Sequence, residues 1–130
     1  MSTLDQAMNY LADKEWGPIK YLSLGLYRCS GTINGSISYQ LRNDGKAAYV
    51  RGRVYISNFT RSGANPGFTY TKPDGWNITG SYSVGHRGEN ATEFVQFYAS
   101  TYVINTTETF QNATNGRLTF IIPGSLIGTL

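Results

Sequence analysis

The sequence predicts an all-β protein, an antiparallel β-sandwich or jelly-roll-like domain with a short N-terminal α-helix. Three observations carry this reading. Short runs of alternating apolar and polar residues recur along the chain, separated by Gly, Pro, Asn and Asp clusters. The tight turn Asn43-Asp44-Gly45 leads into the period-two run Tyr49–Ile56, as a hairpin requires. Charged residues make up only 15% of the chain, while Gly, Ser, Thr, Asn and ten tyrosines are abundant, a mix that suits turns and pleated surfaces better than long helices.

The one helix comes first. Thr3 serves as N-cap with Gln6 three positions on, the capping-box pattern. Leu4, Ala7, Met8 and Leu11 then fall on one face as a single apolar stripe, and Gly17-Pro18 ends the segment. So short a helix is marginal in water, so the stripe is expected to pack on the domain or on copies of itself. Residues 1–18 are therefore read as helix and linker, and residues 19–130 as the β head.

Within the head, Ile19–Cys29 reads as one long apolar strand with Gly25 as a bulge. Asn34-Gly35 carries the signal of a two-residue turn, after which Ile37, Tyr39 and Leu41 alternate with polar residues. Beyond Gly45, Val50, Val54 and Ile56 face one way, with Tyr49, Arg51, Arg53 and Tyr55 opposite. Residues 57–67 are a loop by composition, followed by short strands at Phe68–Thr71 and Ile78–Val84 and a polar loop at Gly85–Thr92. Glu93–Asn105 is expected to be a central strand covered on both sides, because both of its faces are apolar or aromatic. Asn115-Gly116 turns the chain into a last strand, Arg117–Ile122, stopped by Pro123-Gly124.

Composition narrows the function. A net charge of +3, without basic runs alternating with stacking aromatics, argues against a nucleic-acid partner. The single cysteine, Cys29, cannot form an internal disulfide and reads as a small buried apolar residue whose surroundings raise its pKa. The first residues lack a basic start followed by an apolar stretch, so no signal peptide is expected, and no apolar run is long enough for membrane insertion. Six Asn-x-Ser/Thr sequons (at Asn34, Asn58, Asn77, Asn90, Asn105 and Asn112) exceed the roughly two that this composition gives by chance. With no signal peptide, they read as turn chemistry, Asn turning the chain and Thr following in the strand, rather than as glycosylation.

No catalytic constellation emerges. A Cys29–His86 pair lacks local support, and a metal cluster of His86, Glu89 and Glu93 reads more simply as a solvated loop. The eight acidic residues offer few carboxylate pairs for glycoside hydrolysis, and no phosphate-cradling glycine loop is present. No cofactor is expected. Binding remains. Trp76 and Tyr82 provide candidate stacking faces, with Asp74, Asn77, His86 and Arg87 as hydrogen-bonding partners for sugar hydroxyls. The two groups lie at opposite ends of one short strand, so a shared site calls for neighbouring subunits.

The stretch from Gln40-Leu41-Arg42-Asn43-Asp44-Gly45-Lys46 through Val50-Arg51-Gly52-Arg53-Val54-Tyr55-Ile56 resembles the opening of head domains in bacteriophage tail-tip and baseplate receptor-binding proteins. Lys72-Pro73-Asp74-Gly75-Trp76 is similar to the Pro-Gly-aromatic segment that follows there, and Phe94–Ile104 and Leu118–Ile122 to the later aromatic and C-terminal strands. The resemblance covers roughly residues 31–124 through short, degenerate motifs. It implies a β-sandwich head, a homotrimer, located in the virion tail, that docks on the surface polysaccharide of a bacterial host; the Leu4–Leu11 helix then corresponds to the remnant of a stalk. The expected function is thus a non-enzymatic receptor-binding module. The alternative is a structural virion protein, such as a baseplate connector or capsid decoration domain, that binds other virion tail proteins. A small glycan-degrading enzyme is the third reading.

Overall fold

The computed structural model describes residues 3–87, 94–106 and 116–129. After helix α1 (Thr3–Asp13) come β1 (Lys20–Tyr21), β2 (Leu24–Tyr27), β3 (Cys29–Leu41), β4 (Ala47–Arg61), β5 (Gly67–Tyr70), β6 (Ser81–Arg87), β7 (Phe94–Tyr98), β8 (Val103–Thr106) and β9 (Leu118–Gly128). The protein is mostly antiparallel β with one short N-terminal helix.

The nine strands form one sheet in the order β1-β3-β4-β9-β6-β7-β8-β5-β2. Its two ends, β1 and β2, are joined in the chain by Leu22-Ser23 alone, a link that reaches at most roughly 10 Å. Such a sheet has to curl until its edges approach. Leu22 N–H donates to the Ile37 carbonyl on one side of this seam, and the Ser23 carbonyl accepts from Thr71 N–H on the other. The result is a curled half-barrel around one core.

Period-two alternation decides what fills that core. Val50, Val54 and Ile56 of β4 are buried, while Tyr49, Arg51 and Arg53 of the same strand are exposed. Facing strands add Phe68, Phe97, Ile104, Leu118 and Phe120, with Phe68 and Phe120 edge-to-face at 5.3 Å. Burying each of these large side chains contributes about 1.5–3 kcal/mol.

Several sequence expectations change. Asn34-Gly35 does not turn the chain; β3 runs through it, and Gly35 (φ 86°) pairs with Val54 because a Cβ there would collide with the Arg53 carbonyl of β4. The apolar run Ile19–Cys29 is split by the Leu22-Ser23 seam, and residues 57–61 extend β4 rather than opening a loop. Pro123-Gly124 does not stop the last strand either. The register of β4 against β9 shifts between Val50 and Gly52, and this irregularity accommodates the proline within β9. The expected central strand Glu93–Asn105 is two strands, β7 and β8, joined by a turn in which Tyr102 takes φ 57°. Its outer face is not covered, since Phe94 is 56% exposed.

Helix α1 forms where expected but buries no side chain. Its C-terminal end is docked on the β3–β4 turn. Asn43 N–H donates to the Glu15 carbonyl, Asp44 N–H to the Asp13 carbonyl and Asn43 Nδ2 to the Ala12 carbonyl. No helix among the described residues is long and apolar enough to cross a membrane.

Candidate functional site

The residues chosen from sequence do not form one site. Trp76 is 2% exposed and lies in the core, in edge or tilted contact with Tyr39, Tyr70 and Phe97 at centroid distances of 5.9, 6.1 and 6.3 Å. A ring enclosed in this way offers no face to a sugar, so the stacking role assigned to it is withdrawn. The physical reason is a pair of backbone hydrogen bonds, one of them long-range: Asn77 N–H donates to the Gly45 carbonyl and Trp76 N–H to the Pro73 carbonyl, which folds the loop inward over the core. Asp74 and Asn77 remain exposed beside that turn.

His86 and Arg87 belong to β6, not to a loop, and pair with Ile121 and Phe120 of β9. The β3–β4 turn neighbours the far end of β9 at Gly128, so roughly 20 Å of strand separates the two groups. Tyr82 is half-buried, and its hydroxyl donates to the Thr79 carbonyl at 2.6 Å. Glu89, Asn90, Glu93 and Asn112 lie outside the described residues. Among the described residues no group of three or more His, Cys, Asp or Glu could hold a metal ion.

A different set of residues converges on the outer face of β2, β5, β8 and β7. Register places Tyr27, Gly67, Asn105, Gln96 and Ser83 in one transverse row across five strands. The neighbouring row, Leu26, Phe68, Ile104, Phe97 and Tyr82, packs in or against the core, so alternation turns the first row outward. A pocket of about 330 Å³ opens on this face, with Tyr27 and Asn105 of the outward row in its lining. Arg28, Asn65, Tyr98, Thr101 and Val103 complete the walls. A Cβ at Gly67 would stand 2.7 Å from Asn105 Cα and 2.9 Å from its Cβ.

The rim of this pocket is strained. Arg28 (φ 55°), Asn65 (φ 52°) and Tyr102 (φ 57°), next to the lining residues Thr101 and Val103, hold left-handed backbone conformations that cost about 1–3 kcal/mol each. Their surroundings fix them. Arg28 Nη1 donates to the Ala64 carbonyl at 3.0 Å, its guanidinium lies 4.8 Å from the Tyr27 ring centroid, and its carbonyl accepts from Ser62 N–H. The Tyr102 carbonyl accepts from Tyr70 N–H, and the Tyr70 hydroxyl donates to the Tyr98 carbonyl at 3.1 Å.

Asn105 is the chemical centre. It is 8% exposed, and its Oδ1 is buried without a hydrogen-bond partner among the described residues, a state that costs about 1–3 kcal/mol. Beside it, Ser81 Oγ donates to Gln96 Oε1 and Gln96 Nε2 to Ser83 Oγ, so the neighbouring polar groups are engaged with one another. The Cys29 thiol donates to the Gly67 carbonyl at 3.5 Å, and burial pushes its pKa up, as the apolar sequence context implied. Among the described residues no carboxylate or histidine lines the pocket. Its groups can stack, donate and accept hydrogen bonds; they contain no acid–base pair.

Sequence reasoning missed this site for two reasons. Asn105 was noticed only as a sequon, and the turn that brings Tyr98 and Thr101 beside it has no Gly or Pro to announce it. The expected turn role of the sequons does not hold at Asn34, Asn58 and Asn105, which lie within β3, β4 and β8; Asn34 Nδ2 instead donates to the Thr32 carbonyl and Ser57 Oγ. No protein-family model, curated protein or solved structure matches the chain.

Proposed function

We propose that this chain is a non-enzymatic saccharide-binding module, the receptor-binding head of a bacteriophage tail or baseplate, and that the Asn105 pocket is where the sugar docks. The observation that carries the reading is an amide nine-tenths buried, lacking a partner at its oxygen, in the wall of an open pocket flanked by tyrosines. The terminal amide torsion is broad, so Oδ1 turns outward when a hydroxyl donor arrives. Tyr27 and Tyr98 then supply apolar ring surface for the C–H face of the sugar, and Thr101 and Asn65 supply polar groups at the rim.

The helix supports a multivalent arrangement. Leu4 is 68%, Met8 60% and Leu11 63% exposed, and a helix of this length with no buried side chain is marginal alone. Three copies packed through that stripe form the homotrimer implied by the resemblance, and valency raises weak single-site affinity. In this reading the curled sheet is the β-sandwich or jelly-roll head of such a protein, carried in the virion.

The test is a binding screen of the full chain against bacterial cell-wall and capsular saccharides, with Asn105→Ala as control. The expected result is binding that Asn105→Ala weakens about tenfold or more while the fold persists. Equal binding by the variant, or no saccharide ligand at all, overturns the assignment. The same exposed stripe favours one alternative, a virion-assembly protein; that reading requires capture of another virion protein through α1 and indifference to glycans.

A further inference from the structure

We propose a second binding site, specific for a carboxylate-bearing saccharide such as a uronic acid polymer, on the outer face of β1, β3 and β4. It shares no residue with the Asn105 pocket and stands whether or not that pocket binds.

Pairing of Tyr21 with Ser38 and of Ser38 with Arg51 sets these three side chains in one row across β1, β3 and β4. Ser36 and Arg53, also paired, form the next row on the same face. The row between them pairs Ile37, buried in the core, with Gly52, so alternation leaves the two polar rows on the outer face, where they border an open groove of about 420 Å³. Arg51 and Arg53 are two residues apart on one strand, so their side chains leave the sheet roughly 7 Å from each other.

Charge selects the ligand. The carboxylates among the described residues are Asp5, Asp13, Glu15, Asp44 and Asp74, all on α1, just after it, or in the loops at the β3–β4 turn. None lines the groove, whose charged groups are Arg51 and Arg53. Asp44, the acid nearest in sequence to β4, is held by Arg42 at 2.8 Å and Lys14 at 3.4 Å. No ion pair of Arg51 occurs among the described residues. A guanidinium accepts a carboxylate through two parallel N–H···O bonds, and such charge-assisted pairs are about twice as strong as neutral ones.

The backbone is also adapted at this point. The register of β4 against β9 shifts between Val50 and Gly52, so that Arg51 stands opposite the two residues Pro123 and Gly124 of the bulged strand β9. The remaining groups are those of a sugar site rather than a nucleic-acid track. Ser36 and Ser38 offer hydroxyls, and Tyr21, 67% exposed, offers one ring face at the edge. A single-stranded nucleic acid uses a succession of stacking rings, and the groove has one.

The experiment is titration of the full chain with oligogalacturonate, with its methyl ester (the same sugar backbone, uncharged) and with oligothymidylate. Wild type is expected to bind the acid at least about tenfold more tightly than the ester, with affinity falling as salt rises. Arg51→Gln combined with Arg53→Gln should lose about tenfold or more of that affinity at an unchanged melting temperature. Asn105→Ala should leave it unchanged, which separates this site from the first. Failure to bind the acid, equal affinity for acid and ester, full affinity in the double variant, or tighter binding of oligothymidylate overturns the proposal.

Discussion

Two buried polar groups in this molecule share a defect and differ in everything else. Trp76 Nε1 and Asn105 Oδ1 both lack a hydrogen-bond partner among the described residues. Trp76 sits inside an aromatic cluster of the core, where a large ring can outweigh one unpaired N–H by its area and its edge-to-face contacts. Asn105 is a small amide with little area to contribute, beside a pocket walled by strained residues. Apolar burial accounts for the first orphan. Among the described residues nothing compensates the second, and that asymmetry is why the proposed site is the pocket rather than the tryptophan.

The comparison breaks most easily through stability. Trp76→Ala should lower unfolding free energy by about 3–5 kcal/mol, since it empties the centre of the aromatic cluster. Denaturant titration checks this, and a loss below 1 kcal/mol would mean that the ring is not a core residue. Gly67→Ala comes next, with an expected cost of about 1–3 kcal/mol, because the added methyl collides with the Ile104 carbonyl and with Asn105 Cα of β8 and pushes the two strands apart. It should also weaken any saccharide held by the pocket. Asn105→Ala sharpens the contrast from the other side: removing an unsatisfied acceptor should leave stability unchanged or raise it, by at most the roughly 1–3 kcal/mol that the orphaned oxygen costs. A large loss at Asn105 would show that the amide serves the fold and would remove its claim to a ligand.

The same contrast explains what could be read from the chain. The alternation of β4 was legible, because Val50, Val54 and Ile56 against Tyr49, Arg51 and Arg53 is a pattern set by the pleat alone. The Asn43–Gly45 turn and the short helix were legible for the same local reasons, glycine at φ 73° and an apolar stripe. The candidate site was not. Whether Trp76 stacks on a ligand or on Tyr39 depends on which way a loop folds, and that is fixed by Asn77 N–H reaching the Gly45 carbonyl thirty-two residues earlier in the chain. The pocket around Asn105 likewise depends on Tyr27, brought into the same row by β2, a strand remote in sequence. Curling was implicit in topology rather than composition: β1 and β2 are neighbours in the chain but occupy opposite ends of the sheet order.

A third buried polar group completes the series, this one satisfied. Arg42 is 4% exposed; its Nε donates to Asp44 Oδ1 at 2.8 Å and its Nη2 to the Thr129 carbonyl at 2.7 Å. The Arg42 hydrogen bond holds the Asp44 carboxyl well below the usual carboxylate range, helped by Lys46 N–H and Lys14, against an opposing push from desolvation. A depressed carboxylate pKa contributes stability that is present above the ordinary Asp value of about 3.9 and is lost as pH falls through the folded-state value. Wild type should therefore lose stability more steeply than Asp44→Asn as pH drops below about 4, by at most one proton's worth of slope. Denaturant midpoints taken across that range read the difference directly. Parallel slopes in the two proteins would show that the Arg42–Asp44 pair is not coupled to folding. Because the Asp44 carboxylate also accepts from Lys14 Nζ and the Asp44 N–H donates to the Asp13 carbonyl at the end of α1, the loss should appear together with release of the helix from the turn. In this series a polar group with partners ties the elements of the fold together, one enclosed by aromatic rings is tolerated, and one left open at a pocket is available to a ligand.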